Sequence, residues 1–256
     1  PIFAWRREVI ARGEYGKNIH ELNGRVIMMQ HHPMKDGGWV STHEDITEQR
    51  QAEARIQHLA RHDALTDLPN RIEFLEQMAR TESGLKRGEM AAVLYIDLDH
   101  FKAVNDTLGH AVGDEVIKQA AVRLWGTTRE TDLLARLGGD EFALLLRPMD
   151  GVDTAARVAD RIVQAMKAPM NIGGQQVEIG ASVGIAVGPG DGTSTDQLVK
   201  NADLALYKAK SEGRSTYHFF EAGMDAELQQ RRSIEAGLRL AMQRGDLFRF
   251  IDIGPC

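Results

Sequence analysis

Cysteine is almost absent from this sequence: the single cysteine among 256 residues is the last one, Cys256. The chain therefore has no disulfide framework. Proteins without disulfides are typical of reducing compartments, so we expect a cytoplasmic location, with any membrane anchor lying outside this stretch of chain.

Long hydrophobic runs are also lacking. No apolar stretch approaches the roughly 20 residues that cross a bilayer, and the N-terminus lacks a signal-peptide pattern. A surplus of positive charge is missing too, because the formal net charge is −6. We therefore expect no membrane contact within this chain and no nucleic acid polymer as partner. An acidic protein can still bind a phosphate-rich small molecule where metal ions and a few cations act locally.

The first part of the chain favours a β-hairpin followed by a helix. The strand-like runs "GRVIMMQHHPM" and "GWVSTHEDI" are joined by "KDGG", which has the glycines that a tight hairpin needs. Residues 45–63 contain no Gly or Pro and carry a thin apolar stripe, which predicts an exposed connector helix. Pairing with a second copy of itself and a solvated linker without a partner are both compatible with this stripe.

From residue 64 onward, helical and strand-like segments alternate in the order βαββαβ. "MAAVLYIDLD" (90–99) is typical of a strand buried on both faces, and "QVEIGASVGIAVG" (176–188) predicts another strand. The fold class is therefore α+β: an antiparallel sheet with helices on one face, either ferredoxin-like or like a polymerase palm. Residues 224–244 predict one more amphipathic helix. The closing "FRFIDIGPC" shows no folded-domain pattern, and we expect the chain to be a piece of a longer protein.

Two acidic clusters lie about 40 residues apart. Asp97 and Asp99 end the first buried run, where the two-residue period of a strand points both to the same side. Asp140 and Glu141 follow a Gly-Gly pair between "TDLLARL" and "EFALLLR", the two arms of a predicted hairpin. If that hairpin lies beside the first strand, Asp97 and Asp140 meet, and two ionised carboxylates then need a compensating charge.

Oxygen ligands of this kind suit Mg²⁺ or Mn²⁺, two per active site, bridging a nucleoside triphosphate. The glycines at 138 and 139 would permit a tight turn and let a phosphate approach the backbone. An isolated "GGDE" would be interpreted as a solvated hairpin turn. In combination with "DLDHFK" at a strand end, the catalytic interpretation is favoured.

Four segments together resemble the GGDEF family of diguanylate cyclases, which join two GTP molecules into cyclic di-GMP. They are "RLGGDEFALLL", "DALTDLPNR" (63–71), "YIDLDHFKAVNDTLGHAVGDEVI" (95–117) and "ADLALYKAKSEGR" (202–214). The resemblance covers about residues 62–220. It implies a palm-like nucleotidyl cyclase fold and a homodimer in which each subunit holds one GTP. A catalytically silent module that binds GTP or cyclic di-GMP for regulation is the main alternative.

The resemblance also implies roles for individual residues. Asp97, Asp140 and the backbone carbonyl of Leu98 match the metal ligands, and Glu141 matches the residue proposed to help deprotonate the ribose 3′-hydroxyl. Asn105 and Asp114 match the guanine-reading positions; a carboxylate accepts from guanine N1–H and N2–H₂, a pairing that adenine cannot offer. The remaining substrate positions contact the phosphates through side chains or backbone: His100, Phe101, Lys102, Gly138, Gly139, Lys210 and Arg214.

A second ligand site is indicated by "RETDLLARLGGDEF". Arg129 and Asp132 form an R-x-x-D pair with five residues between Asp132 and Gly138. This spacing resembles the family's inhibitory site, where cyclic di-GMP binds and arrests the enzyme. An R-x-x-D pair by itself is usually a surface ion pair. The hypothesis of an inhibitory site therefore depends on the five-residue spacing between this pair and the GGDEF motif.

The flanks resemble other modules and complete a four-part division. Residues 1–45 are similar to the end of a PAS sensor domain, 46–62 form the signalling helix, and 63–221 form the GGDEF domain. Residues 222–256 are similar to the connector and first helix of an EAL phosphodiesterase domain, whose catalytic body is absent from this sequence. No phosphodiesterase activity is therefore expected of this chain.

Overall fold

The computed structural model describes residues 16–35 and 38–244, which form two compact units divided between Ala60 and Arg61. The first unit is a three-stranded antiparallel sheet followed by a helix. Its elements are β1 (Gly16–Leu22), β2 (Arg25–Pro33), β3 (Trp39–Asp45) and α1 (Thr47–Arg61). The predicted hairpin is β2–β3; Asp36 and Gly37 of its "KDGG" turn lie outside the described residues. Strand β1 was not predicted, because "GKNIHEL" has too few apolar residues to mark a strand.

Helix α1 is the predicted connector, and none of its residues is buried. Its start is held by Asp45, which accepts hydrogen bonds from the backbone N–H (3.0 Å) and the hydroxyl (2.5 Å) of Thr47. Ile56 and Leu59 of the apolar stripe are 67% and 50% exposed. A stripe this exposed is compatible with a paired helix, which stays a prediction.

The second unit is built on a five-stranded sheet in the order β10-β9-β4-β6-β5. Its elements are α2 (Arg71–Lys86), β4 (Ala91–Leu98), α3 (Phe101–Leu108), α4 (His110–Trp125), β5 (Leu133–Gly138), β6 (Glu141–Leu146), α5 (Val152–Lys167), β7 (Met170–Ile172), β8 (Gln175–Val177), β9 (Ala181–Gly188), α6 (Thr195–Ser211), β10 (Tyr217–Phe219) and α7 (Met224–Arg244). The predicted α+β, palm-like arrangement of a sheet with surrounding helices is confirmed.

Helices cover both faces of this sheet, whereas the sequence predicted one covered face. Leu94 and Ile96 of β4 belong to a core with α4 and α5, while Val93 and Tyr95 belong to a second core with α2 and α6. Every residue of β4 is buried, so both of its faces need an apolar cover. The sheet is also mixed, because β10 pairs with β9 in parallel.

The run predicted as one strand over 176–188 is two strands. β8 ends at Val177 and pairs with β7 in a separate two-stranded sheet, and β9 begins at Ala181 in the main sheet. Between them, the carbonyl of Gly180 accepts a hydrogen bond from the N–H of Asp99 (2.9 Å). A contact with a residue 81 positions earlier in the sequence is invisible to local periodicity.

Candidate active site

The β5–β6 hairpin brings the two acidic clusters together. β6 pairs antiparallel with β4, so that Asp97 lies opposite Glu141, and the backbone N–H of Leu98 donates to the carbonyl of Asp140 (3.2 Å). In the turn between β5 and β6, Gly138 and Gly139 have φ values of 141° and 53°. These angles are open to glycine and strained for residues with a Cβ. The predicted convergence of strand end and turn therefore follows from the sheet register.

Asp97 is the buried member of this acidic group, with a side chain only 11% exposed. Burial raises its pKa, and the neighbouring charges of Asp140 and Glu141 raise it further. The ammonium of Lys210, at the end of α6, opposes this shift from 2.6 Å. Burial has a larger effect on the pKa than Lys210 has, because a charged carboxylate loses solvation when it is buried. The strand end therefore favours positive charge beside Asp97.

This donor set fits a hard divalent cation. The side chains at 97 and 140 offer carboxylate oxygens and residue 98 a carbonyl, while Mg²⁺ typically takes one or two carboxylates and fills its shell with water and phosphate oxygens. Across the described residues, no three or more His, Cys, Asp or Glu side chains are grouped as a complete metal cage. A cation here would therefore depend on oxygens supplied by a bound substrate and by water.

The two predicted guanine-reading residues lie on packed helices, Asn105 on α3 and Asp114 on α4. Gly113 makes this packing possible: a Cβ at that position would come within 1.9 Å of Asn105 Oδ1 and 3.3 Å of the Phe101 ring. Any larger residue at 113 would push the Asn105 amide away from the start of α4. The structure thus places an amide and an exposed carboxylate on adjoining helices.

The predicted phosphate-contacting residues lie at two helix ends. Lys102 is in the first turn of α3, and that helix begins directly after His100, whose φ is 62°. The first N–H groups of a helix lack intrahelical partners and favour anions. The second helix end is the C-terminus of α6. Lys210 lies in its last turn, and Arg214 lies just beyond it. Lys210 contacts Asp97 rather than standing free, while Arg214 is exposed.

A pair that the sequence did not indicate, Arg136 and Asp63, holds the turn at Gly139 and Asp140. The guanidinium of Arg136 in β5 donates to Asp63 Oδ1 (2.8 Å) and to the carbonyl of Gly139 (2.8 and 3.1 Å). Asp63 also accepts hydrogen bonds from the backbone N–H and the hydroxyl of Thr66 (2.9 and 2.7 Å). The "DALT" segment is thereby tied to the "GGDE" turn. The presence of both motifs was visible in the sequence, but their contact was not.

Asp99 has a structural role. It is 4% exposed and accepts hydrogen bonds from Ser182 and Ser215. The sequence suggested that Asp99 and Asp97 point to one side as a carboxylate pair. β4 ends at Leu98, so the strand period no longer applies at Asp99, whose backbone N–H pairs with Gly180 instead.

The R-x-x-D pair forms a turn just before β5. The backbone N–H of Arg129 donates to Asp132 Oδ2 (2.8 Å), and the N–H of Asp132 donates to the carbonyl of Arg129 (3.1 Å). Arg129 is exposed. Thr131, inside this turn, is one lining residue of a pocket of about 660 Å³ that Arg80 and Arg87 also line, whereas Arg129 and Asp132 do not line it. The role of the pair in binding product therefore stays a prediction.

The raised pKa of Asp97 gives a testable pH dependence. The folded protein holds the Asp97 proton more tightly than the unfolded chain does, so stability falls as the pH rises through the raised pKa. We expect Asp97→Asn to melt about 2–4 °C higher than the wild type at neutral pH without divalent ions. The difference should shrink below the ordinary pKa of 3.8. Calorimetry with and without Mg²⁺ checks this: Mg²⁺ should stabilise only the wild type, and a lower melting temperature for the variant would contradict the argument.

Family models match most of the chain. The model described as diguanylate cyclase, GGDEF domain, matches residues 60–216, and a model of the PAS fold matches residues 2–54. The boundaries 1–45, 46–62, 63–221 and 222–256 stay predictions. Within the part of the chain that the structure describes, no helix combines the length and apolar character that a membrane span requires.

Several curated proteins are similar over most of this chain. The bifunctional diguanylate cyclase/cyclic di-GMP phosphodiesterase MucR of Pseudomonas aeruginosa is 41% identical over 77% of this chain and 29% of its own length. The diguanylate cyclase TpbB of the same species is 41% identical over 72% of this chain and 42% of its own length. The chain thus spans less than half of the length of each of these relatives.

Solved structures of GGDEF domains resemble the second unit. The GGDEF domain of TpbB is 42% identical, with a TM-score of 0.64 over 66% of this chain and 99% of that one. The coiled coil and GGDEF domain of DgcB from Caulobacter crescentus, in complex with c-di-GMP, is 28% identical, with a TM-score of 0.61 over 68% of this chain and 93% of that one.

Proposed function

Because the chain belongs to the GGDEF family of diguanylate cyclases, with a PAS-fold match before that domain, we propose that it condenses two GTP molecules into cyclic di-GMP and releases two pyrophosphates. The observation that carries the proposal is the site at the end of β4. There Asp97 faces the Asp140–Glu141 turn across a strand pair and is balanced by Lys210. The TpbB relative, named a diguanylate cyclase, supports this assignment.

The two ends of GTP would be bound by different groups of residues, and α3 would contribute to both. Asn105 and Asp114 would read the guanine edge, since Asp114 accepts from N1–H and N2–H₂ and is left unpaired by adenine. The N-terminal N–H groups of α3 with Lys102, and Lys210 with Arg214, would hold the phosphates. The sugar and α-phosphate would then lie over the acidic turn. Selectivity for guanine thus depends on a polar pair and not on an apolar pocket.

The reaction forms one phosphodiester bond for each nucleotide. The 3′-hydroxyl oxygen of one GTP attacks the α-phosphorus of the other, the bond to the β-phosphate oxygen breaks, and pyrophosphate leaves. Asp97, Asp140 and the Leu98 carbonyl would hold Mg²⁺ or Mn²⁺, which supplies charge neutralisation at the phosphates when bound. Glu141, exposed beside Asp140, would accept the hydroxyl proton. Lys210 would shift from Asp97 towards phosphate oxygens.

Two copies of the domain are needed because one site holds one GTP. The exposed stripe of α1, with Ile56 and Leu59, would pair with its counterpart in a second chain and set the distance between the two sites. The PAS-like segment before it would adjust this pairing in response to a signal. Activity should therefore depend on protein concentration.

The assay for this proposal is direct. The purified protein is incubated with GTP and Mg²⁺ at concentrations above and below its dimerisation midpoint, and nucleotides are separated by chromatography. Cyclic di-GMP formation that rises with dimer content supports the proposal. Binding of GTP without cyclic di-GMP would instead identify a silent regulatory module, and full activity in the monomer would exclude the dimer requirement.

Arg129→Ala should relieve product arrest. Removing the exposed guanidinium deprives cyclic di-GMP of a forked donor without touching the acidic turn, and one charge-assisted hydrogen bond corresponds to about 10-fold or more in affinity. Initial rates should therefore match the wild type while the product concentration that halves the rate rises. Progress curves with added cyclic di-GMP measure both quantities. Arg157→Ala, an exposed arginine of α5, is the control, and unchanged inhibition in Arg129→Ala would reject this site.

A further inference from the structure

Asp99 joins three distant segments beside the active site. Its Oδ1 accepts a hydrogen bond from the Ser182 hydroxyl (2.6 Å), and its Oδ2 accepts bonds from the backbone N–H (2.8 Å) and hydroxyl (3.0 Å) of Ser215. Its own N–H donates to the Gly180 carbonyl (2.9 Å). The end of β4, the approach to β9 and the turn after α6 are thus linked through one buried side chain.

The turn after α6 has a strained backbone. Arg214 and Ser215 are consecutive non-glycine residues with φ values of 65° and 49°. Side-chain-bearing residues seldom adopt these angles, and such a turn persists only where surrounding contacts hold it. The N–H of Arg214 donates to the Ala209 carbonyl (3.1 Å) on the helix side. On the side of the turn away from α6, Asp99 accepts the hydrogen bonds from the backbone N–H and the hydroxyl of Ser215.

The strained turn and the end of α6 before it carry two cations of the proposed site. Arg214 precedes Ser215 directly, and Lys210, four residues before Arg214, contacts Asp97 Oδ2 at 2.6 Å. Asp99 lies two residues after Asp97 along the chain. The bonds from Ser215 to Asp99 and the Lys210–Asp97 contact therefore both join the acidic end of β4 to the cationic end of α6.

We propose that Asp99 is a positioning residue for the triphosphate of GTP, acting through the Arg214–Ser215 turn and making no contact with the substrate itself. This inference rests on the proposed function through the role given to Arg214. Asp99 would then do more than stabilise the fold. Its bonds to Ser215 would keep the backbone of Arg214 at a positive φ and so hold the guanidinium of Arg214 in position.

The primary test measures affinity for the α,β-methylene analogue of GTP, which binds without turnover, in the presence of Mg²⁺. Asp99→Ala should bind the analogue about tenfold more weakly, as expected when a charge-assisted hydrogen bond is displaced. Affinity for GMP, which lacks the β- and γ-phosphates, should change far less. An equal loss for both nucleotides would overturn the proposal, because it would indicate general damage to the pocket.

Two matched variants distinguish an effect of the Ser215 contact on analogue affinity from an effect of disturbing the buried Asp99 side chain in general. Asp99→Asn should retain near wild-type affinity, since its Oδ1 can still accept both Ser215 bonds while its Nδ2 donates to the Ser182 oxygen. Ser182→Ala removes only the bond on the far side of the carboxylate and should also leave analogue affinity near the wild-type value. Loss in Ser182→Ala as large as in Asp99→Ala would contradict a role through the turn.

A double-mutant cycle decides whether Asp99 acts through Arg214. Arg214→Ala should weaken analogue binding about as much as Asp99→Ala, and the double variant should be no weaker than either single one. Additive losses would overturn the proposal. If the wild type itself does not bind the analogue, the proposed function fails; if it binds and the cycle is additive, only the role of Asp99 fails.

A second variant covers the case in which Asp99→Ala does not fold. A Cβ on Gly180 would come within 2.1 Å of Ser215 Oγ and 2.9 Å of Asp99 Oδ2. Gly180→Ala therefore displaces the same contact without removing the carboxylate from the protein. It should show the same phosphate-specific loss, and wild-type affinity in a folded Gly180→Ala protein would count against the proposal.

Discussion

Replacement of Asp140 by alanine should abolish cyclic di-GMP formation and leave the fold intact. The side chain at 140 supplies one of two carboxylates in the proposed cation site, and losing the charge stabilisation that a bound metal provides lowers the rate by about 1,000-fold or more. The hydrogen bond that joins this turn to β4 is donated by the backbone N–H of Leu98 to the backbone carbonyl of Asp140, which alanine retains. Catalysis and folding should therefore separate cleanly at this position.

The measurement pairs chromatography of the products with thermal unfolding of the same preparation. Asp153→Ala, at an exposed position in the first turn of α5, removes an equal charge beyond the other end of β6 and serves as the control. Its activity should match the wild type. An Asp140→Ala protein that melts normally and still forms cyclic di-GMP at a comparable rate would refute the assignment of the site.

Arg136→Ala should destabilise the second unit by about 2–3 kcal/mol, because it leaves the half-buried carboxylate of Asp63 without its cation. The side chains of Arg136 and Asp63 are only 11% and 21% exposed. The same change frees the Gly139 carbonyl and loosens the turn that carries Asp140. Activity should fall even at temperatures where the variant is fully folded.

The matched control is Arg87→Ala. Its ion pair with Glu89 has nearly the same length, 2.7 Å against 2.8 Å, but both side chains are 65% exposed. An exposed pair contributes about 0–1 kcal/mol, so chemical denaturation should separate the two variants. Equal, small effects would show that the Arg136 contact is not the anchor of the turn.

The Asp63–Arg136 pair also has a pH signature. Burial pushes the Asp63 pKa upward, but the hydrogen bonds from Arg136 and Thr66 outweigh it, and the pKa lies below its ordinary value of 3.8. A lowered pKa means that the contribution to stability is complete above that value and is lost as the pH falls through the lowered pKa. The wild type and Arg136→Ala should therefore converge in stability in acid and diverge near neutral pH.

The pattern of apolar residues and glycines along the sequence predicted those strands and turns that depend on residues close together in the chain. The apolar run before Asp97 gave β4, and the Gly138–Gly139 pair between two apolar arms gave the β5–β6 hairpin. The prediction of one strand over 176–188 was wrong, because the Gly180 carbonyl between the two strands accepts a hydrogen bond from Asp99, a residue distant in sequence. The cover on both faces of the sheet likewise depends on where helices dock, which no local period records.

Sequence by itself determined the family, the identity of the acidic residues and the strand and turn that present them, since these follow from short-range periodicity and residue chemistry. Only the tertiary structure decided that Lys210 contacts Asp97, that Arg136 pairs with Asp63, and that Asp99 accepts hydrogen bonds from Ser215 in the turn after α6. Each of these contacts joins residues from 73 to 116 positions apart. Chain folding sets such distances through the packing of whole elements, so the residue types alone could not reveal them.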